Sequence, residues 1–276
     1  MITVADIKND EEVKVIMSIA ESQIEALGFT EHSVRHSSIV SKWAGEILAA
    51  IGAEQRRIEL AQIAGYLHDI GNSVNREDHA QSGALLAYNI LTRIGLEYKE
   101  AAEVMMAIGN HDESQGLPVS DLTAALIIAD KADVHKSRVR TNITRMSMGN
   151  LNIHDRVNLA AEKSFVSVDE NTSEIILNIT INTELCPVMD YFEIYFKRMQ
   201  LCRRAAAEGI VLLENDGVLP LERGCGVAVF GRCQLDYFCV GYGSGGDVKA
   251  PYCRSFADGM LARAESGDIS YDEELF

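Results

Sequence analysis

The dipeptide His68-Asp69 places an imidazole and a carboxylate side by side, after a run of apolar residues and before Gly71. Such a pair can reach one hard or borderline cation. Taken alone it reads more readily as a capping or hydrogen-bonded pair. Its company changes that reading. His36 begins the stretch HSSIVSKWAGEIL, His79 begins HAQSGALLAYNIL, and His111 lies in AIGNHDE. Asp130 interrupts the apolar run LIIADKAD, where an unpaired carboxylate would be costly. The six donors His36, His68, Asp69, His79, His111 and Asp130 fall near the ends of five amphipathic segments. Imidazole nitrogens and carboxylate oxygens without a thiolate suit Mn, Fe, Mg, Co or Zn in a site that does chemistry.

The segments that must hold these donors read as helices. Residues 10–27 carry Val13, Ile16, Met17, Ile24 and Leu27 at helical spacing, with Asn9 or Asp10 as cap. The same period predicts helices over 31–51, 54–70, 79–94, 97–110, 120–136 (capped by Ser120) and 154–163. His32 precedes His36 by four positions, which in a helix starting at residue 31 puts both on one face. The period then changes. SFVSV (164–168) and EIILNITI (174–181) alternate as strands around DENTS, predicting a hairpin over about 164–182. Pro187 opens a last long helix through about residue 208. A helical bundle with its donors projecting inward is a recognised way to build a metal site.

The order His36, His68-Asp69, His79, His111, Asp130, in the contexts HSSIV, YLHDIGN, HAQSGALLAYNIL, NHDE and ADKADVHKSRVR, resembles the HD superfamily of metal-dependent phosphohydrolases. The resemblance covers about residues 1–207. It implies an all-α HD-type bundle in which His36, His68, Asp69 and Asp130 hold one cation. His79 and His111 match the variant of the family that holds two, and Asp69 would then bridge. It also implies the reaction: metal-activated water attacks phosphorus, with Asp69 and Lys131 as the catalytic pair. The substrate it implies is a nucleotide or other small phosphoester. Two metals a few ångströms apart can stabilise both ends of an in-line displacement.

Phosphate needs cations. Lys131 follows Asp130, and Arg138 lies in HKSRVR, so these two are the phosphate contacts the sequence offers; a solvated basic helix end is the plain alternative. His32 and Arg76 are candidates to stand behind the metal ligands or to face substrate. His135 and His154 read as non-ligands. Asn72 stands where the family often has Lys, which weakens inference from Lys-bearing members. Serine or cysteine nucleophiles find no support: no Cys precedes residue 186, and Ser37, Ser38, Ser41 and Ser73 lack a G-x-S-x-G context.

From about residue 208 the composition shifts. All seven His precede residue 155, whereas all six Cys follow residue 185. The late cysteines show no zinc spacing and read as free thiols. GVAVFG (226–231) is a strand candidate and SFADGMLARA (255–264) a helix candidate. Gly241–Gly246 fits G-x-G-x-x-G literally but lacks the flanking strand and helix of a dinucleotide site. CRRAAAEGIVLLENDGVLPL, VAVFGRCQLDY and GYGSGGDVKAPYCRSFADGML resemble the start of the α/β sandwich domain of family-three glycoside hydrolases, over about 202–264. That family's nucleophilic aspartate sits in a separate barrel, for which this chain has no room. Residues 208–276 are therefore expected to be a truncated α/β fragment that does not fold alone and does not cleave glycosides. The overlap of the two resemblances in CRRAAAEG points to an accidental chimera rather than a functional fusion.

A chain of 276 residues, 47% hydrophobic and 24% charged, excludes disordered, collagen-like and disulfide-stapled classes. The formal charge of −16 opposes generic nucleic-acid binding. The N-terminus has no signal-peptide character and no apolar run could span a membrane, so a cytoplasmic protein with no membrane partner is expected. The expected partner is a small phosphorylated substrate; a homodimer is left open. Two rivals to hydrolysis stand beside it: an HD module that binds a nucleotide without turnover, and a role in carbohydrate metabolism through the tail.

Overall fold

The computed structural model describes residues 2–140, 151–169 and 174–210. Within them the chain is a helical bundle with one small hairpin. The helices are α1 (Val4–Asn9), α2 (Glu11–Ala26), α3 (Val34–Ala50), α4 (Gln55–Leu67), α5 (His79–Ile94), α6 (Tyr98–Gly109), α7 (Asp121–Ala132), α8 (Ile153–Ala160) and α9 (Val188–Arg204). Short 3₁₀ turns at Ile70–Ser73 and Lys136–Arg138 connect them, and a π turn at Ala205–Ile210 follows α9. The strands β1 (Ala161–Asp169) and β2 (Glu174–Ile181) pair antiparallel, from Ala161 opposite Ile181 to Asp169 opposite Glu174, with a bulge between Ala161 and Lys163. The strand, helix and loop expected at 226–231, 255–264 and 241–246, and the whole tail 211–276, lie outside the described residues.

Helix α7 is the axis of the bundle. Ten consecutive residues, Leu122 through Lys131, are buried except Asp130, which is partly so. A helix apolar all round must be enclosed by others. Leu122, Leu126 and Ile127 pack with Leu48 of α3, Ile63 and Leu67 of α4, and Ile108 of α6 in one core. α3 and α4 approach closely enough that a Cβ on Gly65 would lie 2.7 Å from the Ser41 Cα. This brings His36 of α3 beside His68 at the end of α4.

Cap chemistry explains where elements start and stop. The Asp10 side chain accepts from Val13 N (3.2 Å) to open α2, and Ser120 Oγ accepts from Thr123 N (3.2 Å) to open α7. The Ser33 side chain accepts from Arg35 N at 3.1 Å, so α3 opens at Val34. His32 therefore precedes the helix, and the expected shared helical face with His36 does not hold. The helix expected over 120–136 ends at Ala132 because Asp133 leaves helical dihedrals and turns its carboxylate inward to His36. The one expected over 154–163 yields at Ala161 to strand pairing with Ile181.

Candidate metal centre

The loop between α4 and α5 does most of the positioning. His68 closes α4, Asp69 follows, and the 3₁₀ turn Ile70–Ser73 folds back against the start of α5. A Cβ on Gly71 would overlap the His79 carbonyl and the Gly83 amide, both backbone. Only glycine allows this contact, and it brings His79 to Asp69. Asp78, just before His79, has φ +54°, the left-handed region that a non-glycine residue adopts at a cost.

The six predicted donors converge. His36 Nε2 lies 3.2 Å from Asp130 Oδ1 and 3.7 Å from Asp69 Oδ2. His68 Nε2 lies 3.3 Å from Asp69 Oδ2 and 3.6 Å from Asp130 Oδ1. His79 Nε2 lies 3.5 Å from the other Asp69 oxygen, Oδ1. The His111 ring is 5.0 Å from that of His68 and 5.2 Å from that of His79, centroid to centroid. Two overlapping triads could each hold an ion, His36–His68–Asp130 and His68–Asp69–His111, each with ligand atoms within 4.8 Å of one another.

Each imidazole is oriented from behind. Nδ1 of His68 hydrogen-bonds the Gly65 carbonyl (2.9 Å), that of His79 the Arg76 carbonyl (3.1 Å) and that of His111 the Ile108 carbonyl (2.6 Å). Nδ1 of His36 meets Asp133 Oδ2 at 2.7 Å. A carbonyl or carboxylate can only accept, so each Nδ1 carries a proton and each Nε2 faces the centre. The His36 and His68 Nε2 atoms and Asp69 Oδ2 are buried with no hydrogen-bond partner. Buried polar atoms are almost always satisfied. A divalent cation would satisfy all three, so the residues present fit one.

The electrostatics agree. Burial resists charge on His68, but Asp69 and Asp130 beside it outweigh burial and push its pKa up to about 10. The two carboxylates thus attract a positive charge to this point. Burial would raise Asp69 and Asp130 themselves. The His68 charge on Asp69, and the Lys131 charge on Asp130, hold both well below the usual carboxylate range. Burial lowers His79 and takes His111 down to about 3, leaving neutral rings whose lone pairs are free to ligate.

A cavity of about 350 Å³ opens beside the donors. Four of its lining residues are cations: Arg76, Lys131, Arg138 and Arg198. Lys131 Nζ bonds Asp130 Oδ2 (2.6 Å) and pairs with Glu113 Oε2 (2.7 Å), which leaves one of its three donors. Arg138 spends Nε on the Glu31 carbonyl and Nη1 on the Asp133 carbonyl, two of five donors. Arg76 reaches Asn72 Oδ1 at 3.2 Å and lies over the Phe29 ring. His32 lines the cavity with Nδ1 on the Thr30 carbonyl (2.7 Å), its ring 5.6 Å from that of His36. His135 engages both ring nitrogens elsewhere, with Ser137 and Glu162. His154 lies in the cavity wall.

Sequence reasoning missed four participants. Asp133 holds His36, and its i+3 spacing from Asp130 was a usable signal. Asp112 stands 3.9 Å from His79 Nε2, and the text HDE offered it. Glu113 joins Lys131 to Arg198, whose Nε lies 3.1 Å away. Arg198 comes from α9, and nothing in its neighbourhood marks it.

Comparison with known proteins agrees with this geometry. The family model of the HD domain matches residues 30–136, and that stretch is an HD domain. Over 141 residues the chain is 30% identical to an uncharacterized protein of Methanocaldococcus jannaschii, covering 43% of this chain and 54% of that one. Over 126 residues it is 31% identical to ribonuclease Y of the aster yellows witches'-broom phytoplasma, covering 44% of this chain and 22% of that one. A β-glucosidase of Ruminococcus albus is 51% identical over 55 residues, 20% of this chain and 6% of that enzyme, as a fragment would be. The chain thus spans about half or less of the length of each of these relatives. A crystal structure of a predicted HD superfamily hydrolase from an uncultured Thermotogales bacterium aligns with a TM-score of 0.37 at 25% identity, over 52% of this chain and 79% of that one.

Proposed function

We propose that the chain is a metal-dependent phosphohydrolase acting on a small phosphoester, with a nucleotide as the leading substrate. The observation that carries this reading is the set of four imidazoles, each held from behind through Nδ1, with Nε2 atoms turned toward two ionised carboxylates. His36, His68, Asp69 and Asp130 would hold one cation. His79 and His111 would complete a second position, with the two Asp69 oxygens facing opposite halves of the cluster. The donors suit Mn, Fe, Mg, Co or Zn. Bound there, a metal supplies Lewis-acid activation of water and of the phosphoryl oxygen.

The protein's own residues supply the rest. Lys131 keeps Asp130 ionised and directs its remaining donor to a phosphoryl oxygen. Arg138 lies on the same cavity with most of its donors uncommitted to the fold. Asp69, flanked by His68 and His79, would accept a hydrogen bond from an attacking water and orient it. The acidic overall charge favours a small substrate over a polymer. The likeness to ribonuclease Y keeps RNA as a second reading.

The test is metal analysis of the purified chain, followed by assay with Mn²⁺, Fe²⁺ or Co²⁺ against nucleoside monophosphates, sugar phosphates and a short RNA. Bound metal and turnover abolished by Asp69→Ala are expected. No bound metal, no turnover and an Asp69→Ala protein indistinguishable from wild type would end this reading. No helix among the described residues is long and apolar enough to cross a membrane.

A further inference from the structure

The cavity wall contributed by α8 carries two oxygens that the fold leaves unused. Asp155 and Asn158 both line the cavity and are 2% and 4% exposed. Asp155 Oδ1 and Asn158 Oδ1 are each buried without a hydrogen-bond partner. The other ends of both side chains are fixed. Asp155 Oδ2 accepts from Asn152 Nδ2 at 2.5 Å, and Asn158 Nδ2 donates to the His154 carbonyl at 2.9 Å. Neither unused oxygen can turn to find a partner without breaking a bond already made. Residues three apart on a helix share a face, so the two acceptors are neighbours. A buried acceptor without a donor costs free energy unless a ligand supplies the donor.

The donor can be specified. A cationic group is disfavoured, because Arg76, Lys131, Arg138 and Arg198 already line the same cavity. A neutral pair of hydroxyls meets both acceptors and adds no charge. Asp155 and Asn158 themselves lie outside residues 30–136, the stretch matched by the HD family model. We propose that Asp155 and Asn158 form a subsite for the vicinal hydroxyls of a sugar phosphate, selecting ribose-type esters over deoxy or simple alkyl phosphates. The inference rests on the phosphohydrolase reading, since the phosphate end must sit at the metal cluster.

The experiment uses the full chain loaded with Mn²⁺ and non-hydrolysable probes: methylphosphonate and the phosphonate analogues of ribose 5-phosphate and 2-deoxyribose 5-phosphate. Calorimetry should show the ribose analogue binding about tenfold or more tighter than methylphosphonate, with the deoxy analogue between them. Asn158→Leu removes one acceptor at nearly constant volume. Asp155→Asn keeps the bond from Asn152 only by placing its amide nitrogen where the unused oxygen was. Each variant should erase most of the ribose advantage while methylphosphonate affinity stays within about twofold of wild type. Should Asn158→Leu fail to fold, Asp155→Asn decides. Methylphosphonate binding without a ribose advantage, or an advantage that survives in both variants, overturns the subsite and leaves the phosphohydrolase reading intact. Binding of none of the probes removes both.

Discussion

Replacing Asp133 by Asn tests whether the metal centre depends on the group behind its first histidine. Asp133 Oδ2 accepts from His36 Nδ1 at 2.7 Å and from Arg35 Nη2 at 3.0 Å. Burial would raise this carboxyl. The His36 hydrogen bond and charge, then Arg138 and Arg35, outweigh burial and hold it well below its ordinary range. It is therefore ionised at neutral pH, and Asn removes a full charge while its amide oxygen can keep both hydrogen bonds. Partners that orient a ligating histidine are worth about 10–100-fold in metal affinity, or roughly 1.4–2.7 kcal/mol. Titration of Mn²⁺ against a competing chelator should show a loss in that range, with the melting temperature of the metal-free protein little changed. Asp133→Leu is the harsher control. It strands the His36 N–H and one arm of Arg35, and a stability loss of about 1–3 kcal/mol should accompany the weaker metal binding. A Mn²⁺ affinity for Asp133→Asn within about twofold of wild type would refute the claim that this carboxylate sharpens His36 as a ligand.

Gly71→Ala should cost roughly 1–3 kcal/mol in a urea melt and lower metal content, because the new methyl displaces the backbone of α5 at His79; unchanged stability would mean that the turn has slack. Burial opposes ionisation of Glu113, but Lys131 and Arg198 depress its pKa, so its contribution is present above the ordinary value of 4.5 and lost as pH falls through the folded value. The stability gap between wild type and Glu113→Gln should accordingly be widest near neutrality and close in acid, and a pH-independent gap would contradict the ion-pair assignment. Excess Mn²⁺ should raise the melting temperature of wild type, by about 2.7 kcal/mol of stabilisation at a hundredfold excess over Kd, and His68→Ala should abolish that rise. An equal rise in both proteins would place the metal elsewhere.

The converging donors were legible in the sequence because each sits at a boundary that local chemistry marks. His68 and Asp69 end an apolar helix before a glycine, His79 starts one, and Asp130 interrupts an apolar run. Strand periodicity located β2 at 174–181, the range the structure shows. Partners drawn from distant segments were not legible. Arg198 meets Glu113 across 85 residues of chain, and no local pattern encodes that meeting. The early end of α7 was missed for a related reason. Helical propensity runs on through Asp133, but a carboxylate that can reach a buried imidazole on another helix gains more by leaving.

The backs of the four histidines respond differently to substitution. His68, His79 and His111 are each steered by the carbonyl three residues earlier in their own backbone. A carbonyl is present whatever side chain occurs there, so a substitution at Arg76 or Ile108 does not delete its support, whereas a Cβ at Gly65 would press on the Ser41 backbone. His36 alone leans on a side chain. Substitution at Asp133 would therefore change the strength of this site while leaving the three backbone supports in place.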